Sequence, residues 1–322
     1  MSFESVKALM EDDLRQVDRV IRERLASDVV LINQIGEYII GSGGKRLRPL
    51  VVLTAARACG YTGTRHTEAA AIIEFIHTAT LLHDDVVDGS TLRRGRDTAN
   101  ELWGNGASVL VGDYVYSRSF EMMVALGSMR IMDVMAGATN RIAEGEVLQL
   151  MNANDPDTTE ERYFEVIYRK TAKLFESGTQ IAAILAGAPE RIEEGLARYG
   201  RHLGTAFQLI DDVLDYRSDR EQFGKNLGND LAEGKPTLPL IYALKNGTTE
   251  QQEVIRASIR EGSTAELARV TAAIESTGGL AYTARLARRE GTLAVEALAD
   301  LPDSAYKQAL RDLADFAVDR TY

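Results

Sequence analysis

Apolar residues recur at three- and four-residue intervals along almost the whole chain, and the alternation expected of strands is nearly absent. The run from Glu68 to Val87, dense in Ala, Ile and Leu with polar residues at intervals, predicts a long helix. Similar patterns predict helices over Ala107 to Leu126, Arg130 to Leu150, Thr159 to Ala186 and Ile192 to Tyr216. Thr158 with Glu161 reads as a capping box that opens one of them. The breaks are short: Gly41-Ser42-Gly43-Gly44, Gly60 to Gly63, Asn152 to Asp157, and Gly187 to Pro189. Asp219 to Pro239 is looser, rich in Gly, Lys and Asp, and shorter amphipathic helices follow it. No linker, internal repeat or low-complexity tract marks a boundary, so residues 1–322 read as one all-α domain.

Composition narrows the class. Of 322 residues, 45% are hydrophobic and 26% charged, as in an ordinary globular protein, and aromatics at 7% with six prolines disfavour a turn-rich β fold. The net charge of −11 argues against a duplex nucleic-acid partner, whose affinity comes from basic residues that displace phosphate counterions. Cys59 is the only cysteine, which excludes an intramolecular disulfide and a thiolate metal cluster and suits a reducing cytoplasm. The start, Met1-Ser2-Phe3-Glu4, lacks the basic-then-apolar order of a signal peptide. No run reaches the ~18 apolar residues that a membrane span needs, so a soluble cytoplasmic protein is expected.

The chemistry starts with two acidic repeats. Asp84-Asp85-Val86-Val87-Asp88 ends one long helical pattern, and Asp211-Asp212-Val213-Leu214-Asp215 ends another. A spacing of four places the outer aspartates of each repeat one turn apart on one face. Carboxylates so close repel one another and demand a cation. Mg²⁺ answers that demand, because it prefers carboxylate oxygen and is shared with substrate phosphates. One such repeat alone reads equally well as a solvated helix end; two, each closing an apolar helix, argue against coincidence.

Cations are supplied nearby. Lys45, Arg46 and Arg48 follow a glycine turn, Arg93 and Arg94 follow the first acidic repeat, and Lys170, Lys225 and Lys235 stand beside glycine, hydroxyl or turn residues. Diphosphates need multiple donors of this kind. Gly44-Lys45 is not a P-loop, since that motif needs Gly at 39 and Ser or Thr at 46, where Ile39 and Arg46 stand. The four histidines (His66, His77, His83 and His202) form no His-Glu-x-x-His pattern. By position alone, His77 reads as a packing residue or as a substrate contact.

These motifs, taken in order, resemble the trans-polyprenyl diphosphate synthases. The matching residues are Gly43-Gly44-Lys45 with Arg48-Pro49, Leu82 to Asp88 with Arg93-Arg94-Gly95, and Gly145-Glu146 with Gln149. Lys170-Thr171, Phe207-Gln208 with Asp211, Asp212 and Asp215, Gly224-Lys225 and Gly234-Lys235 complete the set. The resemblance runs from about Gly41 to Leu240, and Glu74 to Leu81 is most similar to the bacterial octaprenyl members.

The resemblance implies a large helical bundle of the isoprenoid synthase type around a central apolar cavity. It implies an Mg²⁺-dependent condensation of an allylic diphosphate, farnesyl diphosphate by preference, with successive isopentenyl diphosphates. The product would be a long trans-polyprenyl diphosphate, octaprenyl, for a quinone side chain. Asp84, Asp85 and Asp88 would hold two Mg²⁺ and Asp211, Asp212 and Asp215 a third, all bridging to the allylic diphosphate. Arg93, Lys170 and Lys235 would add donors there, Lys45, Arg48, His77 and Arg94 would hold isopentenyl diphosphate, and Lys225 would bind substrate. Thr171 and Gln208 would turn dipoles toward the carbocation. A homodimer is implied, and an insoluble product makes transient membrane contact during release an expectation.

Product length is read from the residues upstream of Asp84. Thr80 lies one turn away, Ile76 two turns away, and small Ala79 on an adjacent line would leave a channel open over ~12 Å. Met123, Met132 and Met135 are candidates for its floor, since methionine fills irregular apolar space, though plain packing explains them equally. Three alternatives stay open at this point: a short-chain farnesyl or geranylgeranyl synthase, a terpene cyclase, and a non-catalytic subunit; Arg320 in the tail reads as a further substrate contact or none.

Overall fold

A computed structural model describes residues 2–41, 44–93, 95–217 and 227–320. The expectations placed on Arg94 and Lys225, and on Gly43 and Gly224 beside them, lie outside the described residues. Helix is the dominant element: α1 (Phe3–Leu9), α2 (Glu11–Leu25), α3 (Val30–Gly41), α4 (Leu47–Ala58), α5 (Arg65–Val87) and α6 (Ala99–Trp103) come first. They are followed by α7 (Asn105–Ala125), α8 (Met129–Asn152), α9 (Glu160–Ile167), α10 (Lys173–Leu185) and α11 (Glu190–Leu214). The C-terminal part holds Asn229–Ala232, Leu238–Asn246, Thr249–Glu261, Leu267–Thr277, Gly279–Ala297 and Ala305–Asp319. The all-α reading therefore holds, and each predicted long helix is present within a few residues of its expected ends.

Three local details differ from expectation. The helix expected over Thr159 to Ala186 is interrupted by a π-helical segment, Tyr168–Ala172, between α9 and α10. The cap of α9 falls on Thr159, whose side chain accepts from the Arg162 N–H at 3.3 Å. Thr158 is instead buried, so its hydroxyl faces packing rather than the helix start. Finally, a two-residue ribbon, β1 (Leu92–Arg93) against β2 (Arg96–Asp97), follows the first acidic repeat. It is too short to leave an alternating pattern in the sequence.

The chain forms two compact units, each drawn from separate stretches. One comprises Met1–Thr139, Leu174–Gly200 and Ala297–Leu313. Its centre is α5, which is apolar on nearly every side and is packed by α2, α4 and α7. A helix buried all round must be hydrophobic all round, which is why its periodicity is weak in sequence. The contact with α7 is close: Ser108 Oγ donates to the Leu82 carbonyl at 2.8 Å, and a Cβ on Gly112 would stand 2.5 Å from His83 Nε2. Buried Asp13 on α2 ties the start of that helix to the end of α4, accepting from Arg57 Nε at 2.8 Å and Nη2 at 2.7 Å. His66 Nε2 lies 3.1 Å from the same carboxylate. Burial lowers the pKa of His66, and the pairing with Arg57 and His66 keeps Asp13 low against its own desolvation.

The other unit comprises Asn140–Lys173, Arg201–Glu296 and Ala314–Tyr322. One core joins Tyr163, Ile167, Leu209, Ile210, Leu238 and Ile241. A second joins Leu231, Leu240, Ile255, Ile259, Val270 and Ile274. The first of these cores fixes α9 against the end of α11, and so sets where the second acidic repeat points.

Candidate active site

The first acidic repeat occupies the last turn of α5. Asp88 caps it, its N–H donating to the Asp84 carbonyl at 2.8 Å. A helix C-terminus already carries partial negative charge, so two aspartates there deepen the demand for a cation. Asp84 and Asp88 are half-exposed, whereas Asp85 is fully buried. Asp85 turns inward to Arg93, whose Nη2 lies 2.6 Å and Nε 3.0 Å from Oδ1. Burial raises the Asp85 pKa, Arg93 opposes that rise, and Asp84 and Asp88 add to it. The ribbon that carries Arg93 is tethered where Thr98 Oγ1 and Asn100 Nδ2 donate to the Ser90 carbonyl at 2.7 and 3.1 Å.

In the same unit the cations after the glycine turn divide by role. Arg46 adopts a left-handed conformation and pairs with Glu74, so it serves the fold. Arg48, in the first turn of α4, reaches His77 on α5, with Nη1 3.0 Å from Nε2. An arginine only donates, so that imidazole nitrogen accepts and the ring proton, in the neutral form, sits on Nδ1. The Arg48 guanidinium also lies over the ring of Phe175, 4.7 Å from its centroid. Lys45 is half-buried beside it in sequence. Phe175 was not legible in the sequence as a site residue, because nothing marks a lone aromatic on α10 as a cation platform.

Ala79, Ile76, Met123 and Met135 are all buried, and Met132 is half-buried. The Thr80 hydroxyl donates to the His77 carbonyl at 2.8 Å, so its proton is committed to the backbone of α5.

The second acidic repeat closes α11. Asp211 is 44% exposed and lies 2.9 Å from Nη2 of Arg320, which is only 5% exposed. Arg320 also donates to the Phe207 carbonyl and stacks on the Phe207 ring, 3.6 Å from its centroid. Asp212 is buried; it accepts from the Tyr163 hydroxyl on one oxygen and from Gln208 Nε2 on the other at 2.9 Å. Burial and the neighbouring charge of Asp230 push its carboxyl well above the ordinary range, and burial next to Asp212 pushes the Tyr163 phenol up. Asp215 accepts from the Asn229 and Asp230 N–H groups at 3.1 and 3.2 Å, capping Asn229–Ala232.

The π-segment brings Lys170 and Thr171 to this repeat. Thr171 Oγ1 donates to Gln208 Oε1 at 3.0 Å, and Lys170 pairs with Glu146 on α8. Gly145 makes that approach possible, because a Cβ there would meet the Lys170 backbone nitrogen at 2.8 Å. Lys235 pairs with Glu233. Tyr163 escaped the sequence reading; the available signal was its place two turns before Lys170 on one helical run.

The donor chemistry suits a hard divalent ion. Asp84 and Asp88 offer carboxylate oxygens on one face, and Asp211 offers another with solvent access. Among the described residues no group of three His, Cys, Asp or Glu forms a metal cage. A metal at either repeat would complete its ligands with water and diphosphate oxygens, as Mg²⁺ does. No helix among the described residues is long and apolar enough to cross a membrane.

Comparison with known proteins agrees with this chemistry. The polyprenyl synthetase family model matches residues 29–277. The chain is 55% identical to octaprenyl diphosphate synthase of Escherichia coli over 99% of both chains. It is 51% identical to octaprenyl diphosphate synthase of Haemophilus influenzae over 100% of this chain and 98% of that one. A crystal structure of polyprenyl synthase from Caulobacter crescentus, complexed with calcium and isoprenyl diphosphate, superposes with a TM-score of 0.96 at 44% identity, covering 100% of this chain and 98% of that one.

Proposed function

The chain belongs to the polyprenyl synthetase family, as a chain-elongating trans-prenyltransferase that makes a long-chain polyprenyl diphosphate, and on that premise we propose octaprenyl diphosphate as its product. The allylic primer is farnesyl diphosphate, extended by successive isopentenyl diphosphates. The reading takes residues 1–322 as one catalytic domain, homodimeric and cytoplasmic, contributing an isoprenoid chain to quinone synthesis. Identity to two octaprenyl synthases over nearly the whole chain supports the product assignment. The observation that carries the chemistry is the half-exposed pair Asp84 and Asp88 at the negative end of α5.

Mg²⁺, when bound, acts as a Lewis acid that stabilises charge developing on the departing diphosphate. Asp84 and Asp88 hold two of the ions and Asp211 a third. Lys170 and Lys235 are donors to the allylic diphosphate. Arg93, fixed by Asp85, presents its remaining N–H groups to the same diphosphate. Arg48 and His77, with Lys45, hold isopentenyl diphosphate: the guanidinium gives a planar charge and the imidazole orients it. Thr171 and Gln208 turn oxygen dipoles toward the allylic carbocation, which apolar walls shield from water. The isopentenyl double bond then attacks, and the released diphosphate takes the proton. A terpene cyclase has no use for the Arg48–His77 pair, which favours the two-substrate reading.

The test is incubation with farnesyl diphosphate, labelled isopentenyl diphosphate and Mg²⁺, with an EDTA control, and sizing of products by mass spectrometry. A chelator-sensitive octaprenyl product is expected. A geranylgeranyl product would keep the metal chemistry and reject the length assignment. Because Ala79 is buried on the turn above Asp84, Ala79→Tyr is expected to shorten the product by several isoprene units. Unchanged length would place the growing chain elsewhere.

A further inference from the structure

The second acidic repeat holds a hydrogen-bond chain in which both Asp212 oxygens accept, one from Tyr163 and one from Gln208. The chain rests on two elements of one unit, the run from α9 through the π-segment and the end of α11. Gln208 and Asp212 lie one turn apart on α11, and Tyr163 and Thr171 lie on the facing run. Gln208 could in principle face Thr171 with either end of its amide. Asp212 decides the matter. Its Oδ1 accepts from Gln208 Nε2 at 2.9 Å, which leaves the amide oxygen for the Thr171 hydroxyl at 3.0 Å. The Tyr163 hydroxyl occupies the other Asp212 oxygen, so that carboxylate cannot swing to another partner. Every donor in the chain points toward Asp212. The Thr171 proton is therefore committed inward, and its lone pairs are left to face outward.

We propose that Tyr163 is a positioning residue for the condensation: by holding Asp212 it fixes the amide of Gln208, and through it the direction in which Thr171 presents its oxygen. This rests on the reading above that Thr171 faces the developing cation. Tyr163 touches no substrate, and its effect belongs to the barrier rather than to binding. Its burial at 5% exposure, with Asp212 at 1%, means that no solvent donor replaces the phenol when it is removed. The carboxylate then has one donor and two oxygens, and the orientation of the amide is no longer unique.

The experiment is Tyr163→Phe, assayed for initial condensation of farnesyl and isopentenyl diphosphates alongside the unaltered enzyme. A fall in kcat of about ten- to a hundredfold is expected, with both KM values within about twofold. Thr171→Val is expected to lower kcat at least as far. The double variant should then be no slower than Thr171→Val alone, because groups that act as one unit are not additive. Asp212→Asn gives an independent route should Tyr163→Phe fold poorly in thermal unfolding. Its amide N–H can reverse Gln208, and the same loss and the same non-additivity with Thr171→Val are expected. Full kcat in Tyr163→Phe, or losses that multiply in the double variants, would overturn the proposal. An unaltered enzyme that condenses no allylic diphosphate would instead overturn the functional reading on which it stands.

Discussion

The two acidic repeats are identical in residue type at every aspartate position, yet they are used differently. In each, the second aspartate is buried and the first has solvent access. A rotation of ~100° per residue makes this unavoidable at the end of a helix that packs on one side. What differs is the partner met inside. Asp85 meets a guanidinium, while Asp212 meets a phenol and an amide. The third aspartates diverge as well: Asp88 caps α5 by its backbone, whereas Asp215 caps Asn229–Ala232 by both carboxylate oxygens. A repeat of sequence thus sets which face each carboxylate takes, and the neighbours set its chemistry.

The sharpest break is between outer and inner aspartates. Asp84→Ala removes a carboxylate from the helix end, and a loss of roughly 10³-fold in kcat is expected at saturating Mg²⁺, in line with removal of a group that stabilises transition-state charge. The fold should survive, since Asp84 is half-exposed. Near-normal turnover would remove Asp84 from the metal site and with it the distinction between the outer and inner positions.

The inner aspartate of the first repeat is expected to answer in stability. Arg93→Ala leaves Asp85 as a fully buried carboxylate without its counter-ion, and destabilisation of about 3 kcal/mol is expected in urea unfolding near neutral pH. The pH dependence follows from the direction of the shift. Burial raises the folded-state pKa of Asp85 above its ordinary 3.8, and loss of Arg93 raises it further. The folded state then binds a proton more readily than the unfolded one, so the penalty is full above that raised value and shrinks as pH falls through it. A penalty that grew toward acid would mean that the Asp85 carboxylate is held ionised by something other than Arg93.

Much of this was legible in the sequence, for reasons particular to each feature. Long helices announce themselves by period, and the repeats by composition. The order of the Gly, Lys and Asp motifs points to the family by itself. The functional split within each repeat was not legible, because spacing reports a face but not which face is inside. Nor was Tyr163, since a buried tyrosine on an amphipathic helix has the same pattern whether it packs or donates. The π-segment was hidden too: one inserted residue shifts Lys170 and Thr171 around the axis without altering composition. Arg320 stood out only as a basic residue near the end of the chain, while its partner lies more than a hundred residues upstream.

That last pair gives the finest test of the comparison. Asp211 has a resident cation, as Arg320 is buried against it and stacked on Phe207. A guanidinium there meets part of the demand that a metal would otherwise meet alone, so the two compete for Asp211. Arg320→Ala is therefore expected to tighten binding of Mn²⁺, used as a probe for Mg²⁺, in calorimetry without substrate. Since the Asp211 side chain is 44% exposed, the ion pair is worth no more than ~1 kcal/mol, which caps the gain at about fivefold. The same substitution should leave binding at Asp84 and Asp88 unchanged, because its effect is local to the second repeat. Weaker Mn²⁺ binding in the variant would show that Arg320 orders Asp211 for the metal instead of standing in its place.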